Sequence, residues 1–388
     1  MVQAAYFHIP FCEQICHYCD FNKVFLKNQP VDEYLDSMQK EMKNTIKKYP
    51  ADELTTIFIG GGTPTALNEK QMEKLLLAIN TEFNPLPSIH EYAVEANPGD
   101  LSYEKLKIMR ELGVNRLSFG VQTFNDDLLQ RIGRTHRKAD VLKSIETAEK
   151  AGFDNISIDL MYGLPGQTLS DFKESLDIAF GLNVQHYSSY SLIVEPKTVF
   201  YNLMSKGRLT LPPQEEEAAM YELLMEKMES HGFHQYEISN FALPGYESKH
   251  NLTYWNNEEY YGIGAGAHSY IGDVRRANAG PLKKYMGMIE ESGFPYTNEH
   301  TVSRAEKMEE ELFLGLRKSS GVCKSQFGKK FGTSLESVFG MQIKQQAERE
   351  LLIEQNDSVK LTHKGKLLGN EVFQAFIGVI PEEAESKE

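Results

Sequence analysis

The sequence predicts an α/β fold: a parallel sheet built as an incomplete (β/α)6 barrel, followed by a mainly helical C-terminal module. Three observations predict it. Through the first 190 or so residues, short β-rich runs alternate with amphipathic stretches of helical period. The residues capable of chemistry fall at the ends of those β-rich runs. From about Thr301 the alternation stops and helical patterns dominate. The boundaries expected are 1–235 for the partial barrel, 236–300 for a connecting region and 301–388 for the C-terminal module.

The strands are expected at 3–9, 55–59, 91–96, 116–121, 155–161 and 186–193. Between them, 31–49, 69–81, 103–112, 139–151 and 169–182 carry apolar residues at three- and four-residue intervals, the mark of a helix with one buried face. Strands separated by helices pair in parallel, because a parallel neighbour needs a crossover of a dozen or more residues. Six such units fall short of the eight that close a barrel. In the C-terminal module, helices are expected over 305–317 and 335–349, then a short strand at 358–362, a last helix, and an acidic tail at 382–385.

Composition narrows the function classes. In 388 residues, 55 Asp and Glu outnumber 41 Lys and Arg, giving a net charge of −14. That balance argues against generic nucleic-acid binding, which needs a basic footprint to displace counterions; the one basic run is 131–138. No apolar run approaches the roughly 20 residues of a spanning helix, and the opening residues have no basic leader, so a cytoplasmic protein without a transmembrane segment is expected. Four cysteines are too few for a disulfide framework in a chain this long, and free thiols fit a reducing compartment.

Three of those cysteines, Cys12, Cys16 and Cys19, share one eight-residue window after the first strand. Three thiols cannot all pair as disulfides, and the loop is long enough to wrap a compact inorganic centre. Two centres fit. A four-iron cluster held by three thiolates keeps one iron open to a small molecule; zinc would need His8 or His17 to complete its set. Cys323, far along the chain in a turn, reads as an incidental thiol.

Other strand ends carry Gly60-Gly61-Gly62-Thr63-Pro64, Glu95-Ala96-Asn97-Pro98, Gln122 and Asp159. In parallel α/β sheets ligands gather at the carboxyl ends of the strands, so one shared rim is expected. The glycines let a ligand reach the backbone. Asp159, a carboxylate among apolar neighbours, requires a partner, for which Arg134 is a candidate.

Together these motifs resemble the radical S-adenosylmethionine (SAM) superfamily, in which three thiolates hold a [4Fe–4S] cluster and SAM takes the fourth iron. The resemblance extends over nearly the whole chain to the branch containing the oxygen-independent coproporphyrinogen III dehydrogenase HemN and its relative HemW. It is carried by Tyr6 to Cys12, Gly60 to Thr65, Glu95 to Pro98, Ser118 to Gln122, Asp159 to Thr168 and Gly262 to Ser269. It implies a radical-SAM-type barrel ending in a winged-helix-like module. It also implies that Cys12, Cys16 and Cys19 are the cluster ligands and that Tyr6, Gly61, Gly62, Thr63, Glu95, Gln122, Arg134 and Asp159 contact SAM.

Where the dehydrogenase continues its loop to another cysteine, this chain has Asp20-Phe21. It carries, further on, the His-Asn-x-x-Tyr-Trp segment of HemW proteins as His250, Asn251, Tyr254 and Trp255. An imidazole is a normal axial ligand for haem iron, and aromatic rings offer a porphyrin an apolar surface. The resemblance therefore implies a haem chaperone that binds haem at these four residues and passes it to an unidentified acceptor, including one bound peripherally to a membrane. No residue is assigned a catalytic role. The alternative is SAM-dependent oxidative decarboxylation of coproporphyrinogen III.

Overall fold

In the computed structural model, which describes residues 2–50, 53–85 and 88–381, six parallel strands occupy the expected places. They are β1 (Ala4–Ile9), β2 (Thr56–Gly61), β3 (Glu91–Ala96), β4 (Arg116–Gln122), β5 (Ile156–Tyr162) and β6 (His186–Ser191). Each pairs in parallel with the next. Strand β6 ends two residues short of expectation: Ile193, apolar and strand-like in sequence, is 65% exposed at the mouth of the sheet.

The crossovers are α1 (Val31–Lys48), α2 (Glu69–Phe83), α3 (Tyr103–Glu111), α4 (Asp126–Arg131), α5 (Lys138–Lys150) and α6 (Leu169–Phe180). Their starts follow from capping side chains. Asn68 and Gln71 form a reciprocal capping box on α2, Thr168 and Asp171 another on α6, and Ser102 caps α3. Each helix buries the stripe its period prescribes; on α1 this is Tyr34, Leu35, Met38 and Met42, part of the core of the sheet.

The connecting region is richer in strands than its sequence indicates. After α7 (Val199–Met204) and α8 (Gln214–Ser230) come β7 (His234–Glu237), β8 (Asn240–Ala242), α9 (Lys249–Trp255), β9 (Tyr260–Ile263), β10 (His268–Ile271), β11 (Val274–Asn278), α10 (Leu282–Ser292) and β12 (Tyr296–Thr301). The sheet order is β12-β11-β10-β9-β1-β2-β3-β4-β5-β6-β8-β7. Strand β9 lies parallel to β1 and adds a seventh parallel strand; β10 to β12 continue antiparallel. These segments are short and mixed in polarity, Val-Arg-Arg-Ala-Asn in β11, so no alternation announces them.

The C-terminal module has its own core of Leu312, Phe327, Leu335, Phe339, Val359 and Phe376. It contains α11 (Arg304–Gly315), α12 (Lys324–Phe331), α13 (Leu335–Glu348) and a three-stranded sheet of Val322–Cys323, Ser358–Leu361 and Leu352–Gln355, consistent with a winged-helix-like arrangement. The expected last helix is two short ones, His363–Leu367 and Gly369–Gln374, broken where Gly369 follows Leu368. The acidic tail lies outside the described residues. Among the described residues no helix is long and apolar enough to cross a membrane.

Candidate functional site

The cysteine loop leaves β1 and is closed by a short parallel pairing of Phe11–Cys12 with Val24–Phe25. Three ties hold it. The His17 amide donates to the Ile132 carbonyl at 3.0 Å while its Nδ1 meets the Arg131 carbonyl at 2.9 Å. The Asn22 amide donates to the carbonyls of Ala265 and Gly280 at 2.8 and 3.0 Å. His8 Nε2 donates to the Asn22 carbonyl at 2.7 Å and its Nδ1 accepts from the Tyr6 hydroxyl at 2.9 Å. His8 thus has no ring nitrogen left for zinc. Cys323 sits in the C-terminal module, its thiol against Asp357 at 3.2 Å.

The loop, β2, β3, β4 and β5 enclose a cavity of about 380 Å³ at the carboxyl ends of the strands, lined by Cys12, Cys16, Cys19, Gly61, Gly62, Thr63, Glu95, Gln122, Arg134 and Asp159. The rim expected from sequence is therefore assembled, except that Tyr6 faces an adjoining cavity. Gly62 is required there, since a Cβ would come within 2.9 Å of the Cys12 sulfur and 2.8 Å of the Pro10 carbonyl carbon. Gln122 adopts φ 66° at a bulge where β4 slips against β5. Left-handed backbone at a non-glycine residue is uncommon and clusters at functional sites.

Burial dominates the electrostatics of the two carboxyls in the cavity. Burial, reinforced by Asp159, pushes the Glu95 carboxyl up to about 8, although the Gly61 amide donates to it at 3.0 Å. Burial likewise raises Asp159 to about 6. Asp159 takes its hydrogen bonds from the hydroxyls of Ser188 and Ser118, the latter at 3.2 Å, rather than from Arg134. Neither carboxylate has a salt-bridge partner among the described residues. Burial also pushes the Cys12 thiol up to about 11.

These residues fit the cofactors that the sequence implies. Three soft donors stand beside two carboxylates that have no ion-pair partner, Gly62 leaves the room that lets the cysteine loop close on the strand end, and bound iron would hold the thiols as thiolates. Among the described residues no three His, Cys, Asp or Glu side chains converge closely enough to hold a single metal ion. A cubane is less demanding, because each thiolate takes a different iron.

At the amino ends of the strands, α9 plugs the barrel. Its start is held by Glu91, which accepts from the Ser248 hydroxyl at 3.0 Å and from the amides of Lys249 and His250 at 2.9 and 3.1 Å, with Arg116 at 3.9 Å. His250 is 1% exposed. Its Nδ1 meets the Thr56 hydroxyl at 3.1 Å and its Nε2 the Tyr254 hydroxyl at 2.8 Å, and its ring stacks on Phe58. Burial drives its pKa down to about 3, so the imidazole is neutral. Asn251 and Tyr254 share with His250 and Tyr6 a cavity of about 240 Å³ that also reaches Glu95 and Asp159. Trp255 is not with them: its ring lies 4.4 Å from the Arg317 guanidinium, on the C-terminal module.

Several supporting residues escape sequence reading. Asn22 ties the cysteine loop to the Gly264–Gly266 turn. Glu41 on α1, fully buried and raised to about 7, in turn holds that turn through the Gly264 amide at 2.9 Å and also accepts from Asn278 and Tyr285. These contacts span more than 200 residues of chain, and no local pattern signals them.

Known proteins resemble this chain over nearly its whole length. The Radical SAM superfamily profile matches residues 6–179 and the HemN C-terminal domain profile matches 302–368. The heme chaperone HemW of Bacillus subtilis (strain 168) is 61% identical, covering 97% of this chain and 100% of its own. That of Lactococcus lactis subsp. lactis (strain IL1403) is 47% identical, covering 96% and 97%. The coproporphyrinogen III oxidase HemN from Escherichia coli, described as a radical SAM enzyme, superposes with a TM-score of 0.84 over 98% of this chain and 91% of that one. At 23% identity that likeness concerns the fold alone. Fold and site define a radical SAM protein, and within that class the chain belongs to the HemW family.

Proposed function

We propose that this chain is a haem chaperone: it binds haem and transfers it to an acceptor protein, and it carries a [4Fe–4S] cluster with an exchangeable SAM. The observation that carries the reading is the near full-length likeness to relatives named heme chaperones, 61% identical in one case. The assembled thiol cleft supports the cofactor half of it.

In this reading Cys12, Cys16 and Cys19 hold the cluster. Gly61, Gly62 and Thr63 would receive the methionyl end of SAM along the backbone, the carboxylates of Glu95 and Asp159 would take its ribose hydroxyls or amino group, and Gln122, Arg134 and Tyr6 would complete the contact. When bound, the cluster supplies one-electron chemistry toward SAM; in a chaperone its service is regulatory rather than catalytic. His250 is the proposed axial haem ligand, with Asn251 and Tyr254 shaping the pocket; Trp255, whose ring packs on Arg317, is left out of it. Its neutral imidazole is the form a metal requires. Ligation needs α9 to shift, because both ring nitrogens are engaged and about 240 Å³ is below the roughly 300–1,000 Å³ of sites that enclose drug-sized ligands. The acceptor is a haem-requiring protein in the cytoplasm or at a membrane surface.

Titrating the anaerobically reconstituted protein with haem tests this. A saturable Soret shift that is lost in His250→Ala is the expected result. Absence of any saturable shift overturns the chaperone reading. Formation of protoporphyrinogen from coproporphyrinogen III with SAM and a reductant replaces it with the decarboxylase.

A further inference from the structure

Arg134 stands at the joint between the cysteine loop and the connection from α4 to α5. Its Nη1 lies 3.4 Å from the sulfur of Cys16, within N–H···S range. Its Nη2 donates to the Asn97 side-chain oxygen and to the Gly120 carbonyl. With two anchors the guanidinium cannot swing away from the sulfur. Gly120 leaves the room for this, since a Cβ there would stand 3.1 Å from Nη2. The backbone that delivers Arg134 is fixed in turn: Gly133, at φ +80°, lies so close to His17 that a Cβ would meet its ring at 2.8 Å, and His17 is bonded to Arg131 and Ile132. Asn97 is itself seated by its amide on the Thr65 hydroxyl at 3.1 Å. The sulfur and its cation are thus held on one rigid assembly from three strand ends.

We infer that Arg134 tunes the reduction potential of the cluster by donating an N–H to the Cys16 sulfur. This goes beyond contact with SAM and rests on the cluster reading above. An arginine stays protonated at any working pH, so its charge is constant across the redox change. Reduction adds one electron, and thus one negative charge, to a centre whose ligands are already anionic thiolates. A fixed cation and a hydrogen bond to one of those sulfurs stabilise the reduced form more than the oxidised one, and raise the potential. The proton stays on Arg134 throughout, and the electron comes from an added chemical reductant such as dithionite.

The experiment is a potentiometric titration of full-length, anaerobically reconstituted protein without SAM, followed by visible absorbance and EPR. With SAM absent, any contact between Arg134 and SAM cannot contribute. Arg134→Gln is expected to lower the reduction equilibrium about tenfold, a shift of about 59 mV to more negative potential for a one-electron couple. Arg134→Lys, which keeps the charge and loses the fork, is expected to shift in the same direction by less. An unchanged or more positive potential in Arg134→Gln overturns the inference. Should Arg134→Gln take up no cluster, Asn97→Ala decides it by releasing one anchor: a negative shift supports the inference and an unchanged potential overturns it. Failure of the unsubstituted protein to take up iron and sulfide would instead remove the cluster reading itself.

Discussion

The two ends of the same barrel are built on opposite terms. At the carboxyl ends of the strands, polar groups converge on open space: three thiols, two raised carboxyls and a left-handed Gln122 line one cleft. At the amino ends, polar groups are just as buried but closed on themselves, with Glu91 accepting from three donors of α9 and His250 taking a partner on each nitrogen. A buried carboxyl with hydrogen bonds but no ion-pair partner is held at a cost, which a fold tolerates where a ligand can complete it. The difference teaches that the open end has room and reactive groups for a ligand, whereas any ligand proposed for the closed end would first have to undo bonds already made.

The largest effect expected is at the open end. Cys16→Ala should lower iron and sulfide uptake by more than about tenfold, by chemical assay, while far-ultraviolet circular dichroism stays unchanged. Next, at the closed end, Glu91→Ala leaves the start of α9 without its acceptor and the buried Arg116 without its counter-charge, and should lower stability by about 3–5 kcal/mol in urea unfolding. A loss of less than about 1 kcal/mol would mean that the plug is loose, and the contrast between the ends would fail.

His250→Ala strands the Thr56 and Tyr254 hydroxyls and should cost about 1–3 kcal/mol. Tyr254→Phe is the sharper probe. It frees Nε2 for about 1 kcal/mol of stability, and if His250 ligates haem through that nitrogen, haem affinity rises. An affinity that falls instead would make Tyr254 a ligand or pocket wall in its own right.

The smallest effect is a pH slope. In the ligand-free protein Glu95 and Asp159 titrate at about 8 and about 6, above their unfolded values of about 4.3 and 3.9. Between those limits the folded state binds more protons than the unfolded one, so their contribution is full below about pH 4 and is lost as pH rises through 6 and then 8. Glu95→Gln should flatten the decline of Tm between pH 6 and 8. An unaltered slope would show that Glu95 is not the group responsible.

Much of this was legible in the chain. The six parallel strands lie within two residues of their expected limits, because each couples a β-rich run to a helix of clear period. The strand-end motifs met at one rim, as the topology of parallel sheets requires. What escaped notice has a common cause. Strands β9 to β12 are short and mixed in polarity, and their place is set by β1, some 250 residues earlier. Asp159 was expected to lean on Arg134 and instead takes serine hydroxyls, one of them on β6, a strand that shows no acid-binding signal. Trp255 shares a motif with His250 and yet packs on another module, since five residues of helix turn it to a different face.

By itself, the sequence determined the α/β class, the positions of the six strand–helix units and the clustering of three cysteines after the first strand, since these depend on periodicity, capping and spacing within a few residues. Tertiary structure alone decided which polar groups are satisfied: that Arg134 rests on Cys16 across 118 residues, and that His250 has spent both nitrogens. Hydrogen-bond satisfaction is a property of what surrounds a buried atom, and only folding brings those surroundings together.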